Sequence, residues 1–388
     1  MSVTAAAGFA AAGVSAGIRP SGRPDVALVR AVGPAVGCAM WTRNRVQAAP
    51  VTVSRRHLEL AEPQAVVVNA GVANAATGLP GEVDARTTAE RVAERLGLRP
   101  EEVVVLSTGV IGPRLPMEKL LVGVDAGAEA LSADGGNAAA EAILTTDNGP
   151  KTAVVAGDGL TVGGMAKGAG MIHPSLATML AVVTTDYPLP SGVEADRYLR
   201  PAVERTFNRI SVDGDCSTND AVVLLAPRGG PTGARGREAA FAEALESVCR
   251  DLARQIVADG EGATVVLEIG VSGAASAAEA DAIARRVATS PLVKTAAFGH
   301  DPNWGRVLAA AGSAPWNGGF ADLDPDRLSV AFDGTAVFRS GAPTGLVPEL
   351  GGAACRIDLD LGLGEGEASY LASDLSTDYV RLNAEYTT

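Results

Sequence analysis

Gly163-Gly164-Met165-Ala166-Lys167-Gly168-Ala169-Gly170-Met171-Ile172-His173-Pro174-Ser175-Leu176-Ala177-Thr178-Met179-Leu180 is the stretch on which the reading of this chain turns. Four of its first eight residues are glycine, around a single lysine, Lys167. Glycine lets a backbone approach its neighbours closely. The G-K-[ST] ending of a phosphate-binding loop is missing, so nucleotide binding is not indicated. The second half runs through His173-Pro174 into Thr178–Thr184, a Val- and Leu-rich run that reads as a buried strand. Thr178 at the mouth of that strand has two readings. It is an ordinary β-branched strand starter, or it is a hydroxyl held rigidly beside the Ala177–Thr178 peptide, which it can attack. On these residues alone the first reading is the simpler.

Outward from this segment, strands and helices alternate. Asp25–Val32, Val36–Trp41, Ala65–Asn69, Glu102–Leu106 and Ala221–Leu225 read as strands. Gly157-Asp158-Gly159 between Thr152–Ala156 and Leu160–Val162 signals a hairpin. Asp84–Leu96 reads as a helix, with Asp84 as its cap and Gly97 after its end; Met117–Leu131 and Asn137–Leu144 also look helical. The clearest helix is Arg237–Ala258, where Phe241, Leu245, Val248, Leu252 and Ile256 recur at helical spacing and Cys249 falls beside the stripe as a core residue. Thr264–Ile269 and Leu292–Phe298 read as strands, Ser276–Thr289 as a helix, and strands dominate from Leu328 to Leu371. Pro and Gly content marks Pro227–Gly236 and Ala314–Gly319 as linkers. The expected fold class is α/β, in layers, without separate beads.

Composition narrows the function. With Lys+Arg at 32 and Asp+Glu at 45, the net charge of −13 argues against phosphate-backbone binding to nucleic acid and against a polybasic membrane anchor. The uncharged run Gly168–Thr185 is interrupted by His173-Pro174 and is not read as membrane-spanning. The first residues lack a basic n-region, so a signal peptide is not expected. Cys38, Cys216, Cys249 and Cys355 form no C-x-x-C, and His57, His173 and His300 are far apart, so a reduced cytoplasmic protein without a zinc site is the simplest reading. Two motif matches fail on context. Gly13-Val14-Ser15-Ala16-Gly17 has too little chain before it to be a hydrolase nucleophile elbow. Asp213-Gly214-Asp215-Cys216-Ser217-Thr218-Asn219-Asp220 starts like a calcium loop but has Thr218 and Leu224 where Gly and Glu are needed, and reads as a network of polar turns.

The quoted segment resembles the signature of the ornithine acetyltransferase family, also known as bifunctional glutamate N-acetyltransferase/amino-acid acetyltransferase. Further matches follow in order along nearly the whole chain: Gly8-Phe9 with Ala11-Ala12-Gly13, Thr42-Arg43-Asn44, Ser107-Thr108-Gly109-Val110-Ile111-Gly112, Thr145-Thr146-Asp147, Ser217-Thr218-Asn219-Asp220, Asp259-Gly260-Glu261-Gly262 and Asp301-Pro302-Asn303-Trp304-Gly305-Arg306. Several independent motifs in one order are far more specific than any of them singly.

The resemblance implies a layered α/β sandwich of the kind shared with N-terminal-nucleophile peptidases. It implies a chain that cuts itself between Ala177 and Thr178, giving an α chain of residues 1–177 and a β chain of 178–388. Thr178 would then be both the catalytic nucleophile and the bearer of a free α-amino group, which can act as its base. Thr108 (hydroxyl) and Gly109 (N–H) are implied as oxyanion donors, and Thr145, Lys167, Thr178, Glu261, Asn383 and Thr388 as substrate-binding residues. The implied reaction passes acetyl from N2-acetyl-L-ornithine to L-glutamate by ping-pong, in arginine biosynthesis, with no metal or organic cofactor. Acetyl-CoA as a second donor is left open. The implied assembly is a heterotetramer of two α and two β chains in the cytoplasm.

This chain departs from the family in two places. It reads Asn69-Ala70-Gly71-Val72-Ala73-Asn74-Ala75-Ala76-Thr77-Gly78 where a serine hydroxyl is usual, and its tail, Asn383-Ala384-Glu385-Tyr386-Thr387-Thr388, also differs. Both bear on substrate preference rather than on acyl transfer. Two other enzymes remain open at this point: an acetyltransferase of specialised metabolism acting on another amino acid, and a self-processing aminopeptidase or amidase. A non-catalytic scaffold is a third alternative.

Overall fold

Alternation along the strands sets the layering. In Val103–Val110, Val103 and Val105 face one core while Val104 and Leu106 face another. In Leu180–Thr185, Leu180 and Val182 share that second core, while Ala181 and Val183 face a third. Successive side chains of a strand point to opposite faces, so strands that are apolar throughout must be covered on both sides. The computed structural model, which describes residues 2–173, 179–230 and 236–385, shows how.

Phe9–Val14, Val26–Ala31, Ala65–Val72 and Val103–Val110 form a four-stranded sheet in that order, antiparallel except for the last pair. A five-stranded central sheet runs Ala35–Trp41, Ala221–Pro227, Leu180–Thr185, Leu160–Lys167 and Lys151–Gly157. Within it, Leu180–Thr185 lies parallel to Ala221–Pro227 and antiparallel to Leu160–Lys167. The two sheets share one core, to which Val104 and Leu106 contribute from the first and Val182, Val223 and Leu225 from the second. Helices Gly78–Leu96 and Met117–Glu129 cover the outer face of the first sheet through Val92, Leu96, Leu120 and Val124. Helices Gly192–Arg205 and Glu238–Ala258 cover the outer face of the second through Leu199, Phe241, Leu245 and Leu252. The order is therefore helix, sheet, sheet, helix.

A third sheet, of seven strands, carries the later part of the chain. Val266–Ala274 lies between Ala354–Asp360 and Gly366–Ser373, with helix Ala277–Ala288 packed against them over a core of its own. Ile210–Ser211 pairs with Leu371 and Ala372 and so joins this sheet to the chain of the sandwich.

Many sequence-based expectations hold; several strands run longer than expected, Glu102–Leu106 to Val110 and Leu160–Val162 to Lys167, and other elements change as follows. The segment expected as strand Leu292–Phe298 is a helix, Pro291–Phe298. Ser290 caps it by accepting the Val293 N–H, Pro291 occupies its first turn, and Val293, Ala296 and Ala297 are buried at helical spacing. The helix placed at Asp84–Leu96 begins at Gly78, so Asp84 lies inside it, buried and held by both Arg114 Nε and Nη2 at 2.6 and 2.7 Å rather than capping. Gly97 ends that helix at φ +67, as expected. Ala314–Gly319 is not a linker: Pro315–Trp316 pairs with Gly319–Phe320. The strand expected at Thr264–Ile269 is Val266–Ala274. Residues 231–235, within the other proposed linker, lie outside the described residues.

Candidate functional site

The strand Val103–Val110 delivers Thr108 and Gly109 to the mouth of a cavity of about 210 Å³. Its neighbour Ala65–Val72 runs parallel, with Gly71 opposite Gly109 and an irregularity just beyond. Gly109 has φ +130, and a Cβ there would lie 2.2 Å from the Gly71 carbonyl carbon. Only glycine fits such a position. Ser107 is buried and donates to Asn69 Oδ1 at 2.6 Å, while Asn69 Nδ2 donates to the Val72 carbonyl at 2.8 Å. These bonds fix the two strand ends against each other.

The hairpin Lys151–Gly157/Leu160–Lys167 brings Lys167 to the same cavity. Asp158 and Gly159 turn it with φ values of +52 and +70, the positive pair that a tight two-residue hairpin requires. Lys167 is almost completely buried, with Nζ 3.7 Å from Asp147 Oδ2. Burial lowers its pKa from the ordinary lysine value, and Asp147 opposes that shift. Asp147 is the hub of this wall. Its Oδ1 accepts the Gly168 N–H and the Lys151 ammonium, each at 2.6 Å, and its Oδ2 accepts the Thr145 N–H at 3.0 Å. Burial pushes this carboxyl's pKa up, but Lys167 and Lys151 outweigh it and hold the group below the usual carboxylate range. One carboxylate thus places both Lys167 and Thr145.

Opposite, Glu261 follows the long helix Glu238–Ala258 and donates its N–H to the Ala169 carbonyl at 2.9 Å. Asn383 Nδ2 donates to Glu261 Oε2 at 2.9 Å from the C-terminal helix Thr377–Glu385. Ser376 fastens that helix: its hydroxyl donates to the Gly262 carbonyl at 2.6 Å and accepts the Tyr379 N–H at 3.1 Å. Gly170 lies against Glu261, and a Cβ there would come within 2.6 Å of its carboxylate.

Six candidate residues read from sequence, Thr108, Gly109, Thr145, Lys167, Glu261 and Asn383, therefore line one cavity, although up to 275 positions separate them in the chain. Ala177, Thr178 and Thr388 lie outside the described residues. Ala70, at the departure from the family pattern, is fully buried and does not line the cavity; Ala73 does. Among the described residues, no group of three or more His, Cys, Asp or Glu side chains is arranged to hold a metal ion. No helix among them is long and apolar enough to cross a membrane.

Sequence reasoning gave no site role to Asp213, Asp215, Ser217, Thr218, Asn219 or Tyr379, which also line the cavity. Burial raises the Asp213 pKa to about 6 against three backbone N–H donors, from Asp215, Met171 and Ile172. Asn219 Nδ2 donates to the carbonyls of Ser107 and Ala73 at 2.8 and 2.7 Å, linking this loop to the Thr108 strand. The available signal was the density of Asp, Ser, Thr and Asn in residues 213–220. That pattern reads as turn chemistry, and the turns are present: Asp213 accepts the Asp215 N–H and Ser217 accepts the Asn219 N–H.

Comparison with known proteins gives a consistent result. The sequence model of the ArgJ family matches residues 10–388. The arginine biosynthesis bifunctional protein ArgJ of Thermobifida fusca is 48% identical over 395 residues, and that of Streptomyces coelicolor 49% over 390 residues; both comparisons cover 100% of each chain. Among solved structures, a Mycobacterium tuberculosis ornithine acetyltransferase complexed with ornithine is 50% identical over 45% of this chain and 96% of that one, with a TM-score of 0.44.

Proposed function

The chain belongs to the ArgJ family, and on that premise we propose that it transfers acetyl from N2-acetyl-L-ornithine to L-glutamate after cutting itself between Ala177 and Thr178. The observation that carries the reading is the convergence of Thr108, Gly109, Thr145, Lys167, Glu261 and Asn383 on one small cavity. The cavity is polar and holds both signs of charge: a buried ammonium on one wall and carboxylates on the other. That suits an amino acid, which carries a carboxylate and one or more amines. The helix–sheet–sheet–helix layering supports a fold of the N-terminal-nucleophile kind.

In the cut, the Thr178 hydroxyl adds to the Ala177 carbonyl carbon. The C–N bond breaks as the ester forms, and the released nitrogen takes up the hydroxyl's proton. Water then hydrolyses the ester, leaving the Ala177 carboxylate on an α chain of residues 1–177. The β chain, residues 178–388, starts with a free Thr178 amine and hydroxyl. An α-amino group has a reference pKa of about 7.7–8.0, so near neutral pH a useful fraction is unprotonated and can act as base.

In transfer, that amine accepts the Thr178 hydroxyl proton as Oγ adds to the acetyl carbonyl of acetylornithine. Thr108 Oγ1–H and the Gly109 N–H serve as donors to the developing oxyanion, each worth about 2.7–4 kcal/mol in a preorganised site. The C–N bond breaks, ornithine leaves with the proton, and acetyl remains on Thr178 as an ester. The glutamate amine then adds to that ester, and N-acetyl-L-glutamate leaves as Thr178 Oγ recovers a proton. Lys167 pairs with the substrate carboxylate; Glu261, held by Asn383, receives its amino end; Thr145 and Thr388 complete the binding set. The reaction calls for no metal or organic cofactor. The setting proposed is arginine biosynthesis in the cytoplasm, as a heterotetramer of two α and two β chains.

Intact-mass spectrometry with acetylornithine tests the reading directly. The expected result is two chains that meet at 177/178, with the larger one acetyl group heavier on Thr178. An uncut active chain, or acetyl found on another side chain, would overturn it. Acetate released without glutamate would identify a hydrolase instead.

A further inference from the structure

The loop Asp213–Asp220 grips the backbone on both flanks of residues 174–178. On the upstream flank, Asp213 Oδ2 accepts the Met171 N–H at 2.6 Å and Oδ1 accepts the Ile172 N–H at 2.9 Å. The Val212 N–H, just before the loop, donates to the Ile172 carbonyl at 2.7 Å. Met171 is held at φ +53, which non-glycine residues adopt only when their surroundings impose it. On the downstream flank, Asp220 Oδ1 accepts the Met179 N–H at 3.0 Å, and the Ala221 N–H donates to the Met179 carbonyl at 3.1 Å. Asp220 is buried.

The middle of the loop is tied elsewhere. Asn219 Nδ2 bonds the carbonyl of Ser107, the residue before Thr108. Thr42 Oγ1 donates to the Ser217 carbonyl at 2.7 Å and Asn44 Nδ2 to the Cys216 carbonyl at 2.9 Å. The loop is therefore anchored to the sheet edges that frame the cavity, while its two end carboxyls reach the chain before and after residues 174–178.

We infer that Asp213 and Asp220 are positioning residues for self-cleavage: together they form a two-point clamp on the backbone that flanks the Ala177–Thr178 bond, at Met171 and Ile172 before it and at Met179 after it. The inference rests on the proposed reading that the chain is cut there. Attack of a hydroxyl on the peptide beside it needs approach to about 3–3.5 Å with correct alignment, and a loose chain seldom supplies this. A trans peptide step spans about 3.8 Å between Cα atoms, so fixing residue 179 confines the residue before it. Fixing residues 171 and 172 limits the slack on the other side. Burial raises the Asp220 pKa well above the carboxylate norm, which favours the neutral form and leaves its carbonyl oxygen as the acceptor for Met179.

The test follows cleavage of the full 388-residue chain over time by intact mass, after cell-free synthesis. It compares the native chain, Asp220→Ala, Asp220→Asn, Asp213→Ala, and Thr178→Ala as the uncuttable reference. Thermal melting reports whether each variant is folded. Asp220→Ala should slow cleavage roughly 100-fold, the typical loss when a reacting group is displaced by about an ångström. Asp220→Asn keeps an oxygen acceptor for Met179 and should recover most of the rate. Asp213→Ala should also be slow, and it carries the test if Asp220→Ala does not fold. A folded alanine variant that cuts at the native rate overturns the clamp. So does a folded Asp220→Asn as slow as Asp220→Ala, because the group would then act through its proton. If the native chain itself stays whole, the functional reading falls; if it cuts and the alanine variants keep pace, only the clamp falls.

Discussion

Gly109→Ala isolates the proposed oxyanion donor. The new Cβ would lie 2.2 Å from the Gly71 carbonyl carbon and 2.5 Å from its oxygen. Comfortable carbon–carbon contact is about 3.5–4.0 Å, so one of the two strands must retreat by roughly 1 Å or more. The alanine must also leave φ +130, a region almost closed to L side chains. Both changes carry the residue 109 N–H away from its place. Losing one such donor costs about 2.7–4 kcal/mol, so kcat should fall about 100- to 1,000-fold. KM should change little, because the bond strengthens in the transition state rather than on binding. Gly112→Ala is the control: its φ is +105, but open space surrounds the added carbon. It should lose about 1–3 kcal/mol of stability from backbone strain without the loss of rate. The assay is single-turnover acetylation of Thr178 by intact mass, scored per cleaved chain, with melting temperatures for both variants. A folded, cleaved Gly109→Ala that acetylates at the native rate would refute the assignment.

Lys167→Met should raise KM for acetylornithine about 10- to 100-fold, the 1.5–3 kcal/mol of a hydrogen bond to a charged group. Steady-state kinetics measure it, and an unchanged KM removes Lys167 from the binding set. Asp147 would keep Lys151 as its partner, so melting should change little. Asp213 gives a signed pH effect. The folded chain holds its proton up to about pH 6, whereas the unfolded group releases it near 3.8. Its contribution to stability is therefore complete below about 3.8 and is lost as the pH rises through about 6. At about 1.4 kcal/mol per unit, this is a decline on the order of 3 kcal/mol between pH 4 and 7. Urea unfolding at those two pH values should show that decline in the native chain and not in Asp213→Asn; the same decline in both would exclude the group. Leu224→Ala, in the fully buried centre of the second sheet, should cost about 2–5 kcal/mol in the same assay, and a loss of a few tenths would contradict the layer packing.

Local pattern made much of the architecture legible. The stripe Phe241, Leu245, Val248, Leu252, Ile256 has one helical reading, and it is a helix. Leu292–Phe298 is short and apolar, and period alone does not separate a strand from a buried helix at that length. The Ser290-Pro291 start signal would have decided it. Sheet order was not legible, because it brings Ala35–Trp41 beside Ala221–Pro227 across about half of the chain. At the site, Thr108, Gly109 and Lys167 were reached through the family resemblance; composition and spacing left each with an ordinary structural reading. Asn219 and Asp213 act by holding backbone far away in sequence, as Asn219 does with Ser107, 112 positions before it. A lone turn-like run of polar residues carries no mark of that.

Leu180–Thr185 sits inside the second sheet with a strand on either side. The cut proposed between Ala177 and Thr178 would leave two pieces that both contribute to the shared core, Val104 and Leu106 from one and Val182 and Val223 from the other. Their reassembly after denaturation becomes an encounter between two molecules. Recovery of the cut protein should then drop on dilution, whereas an intact Thr178→Ala chain should regain its structure at a rate independent of concentration.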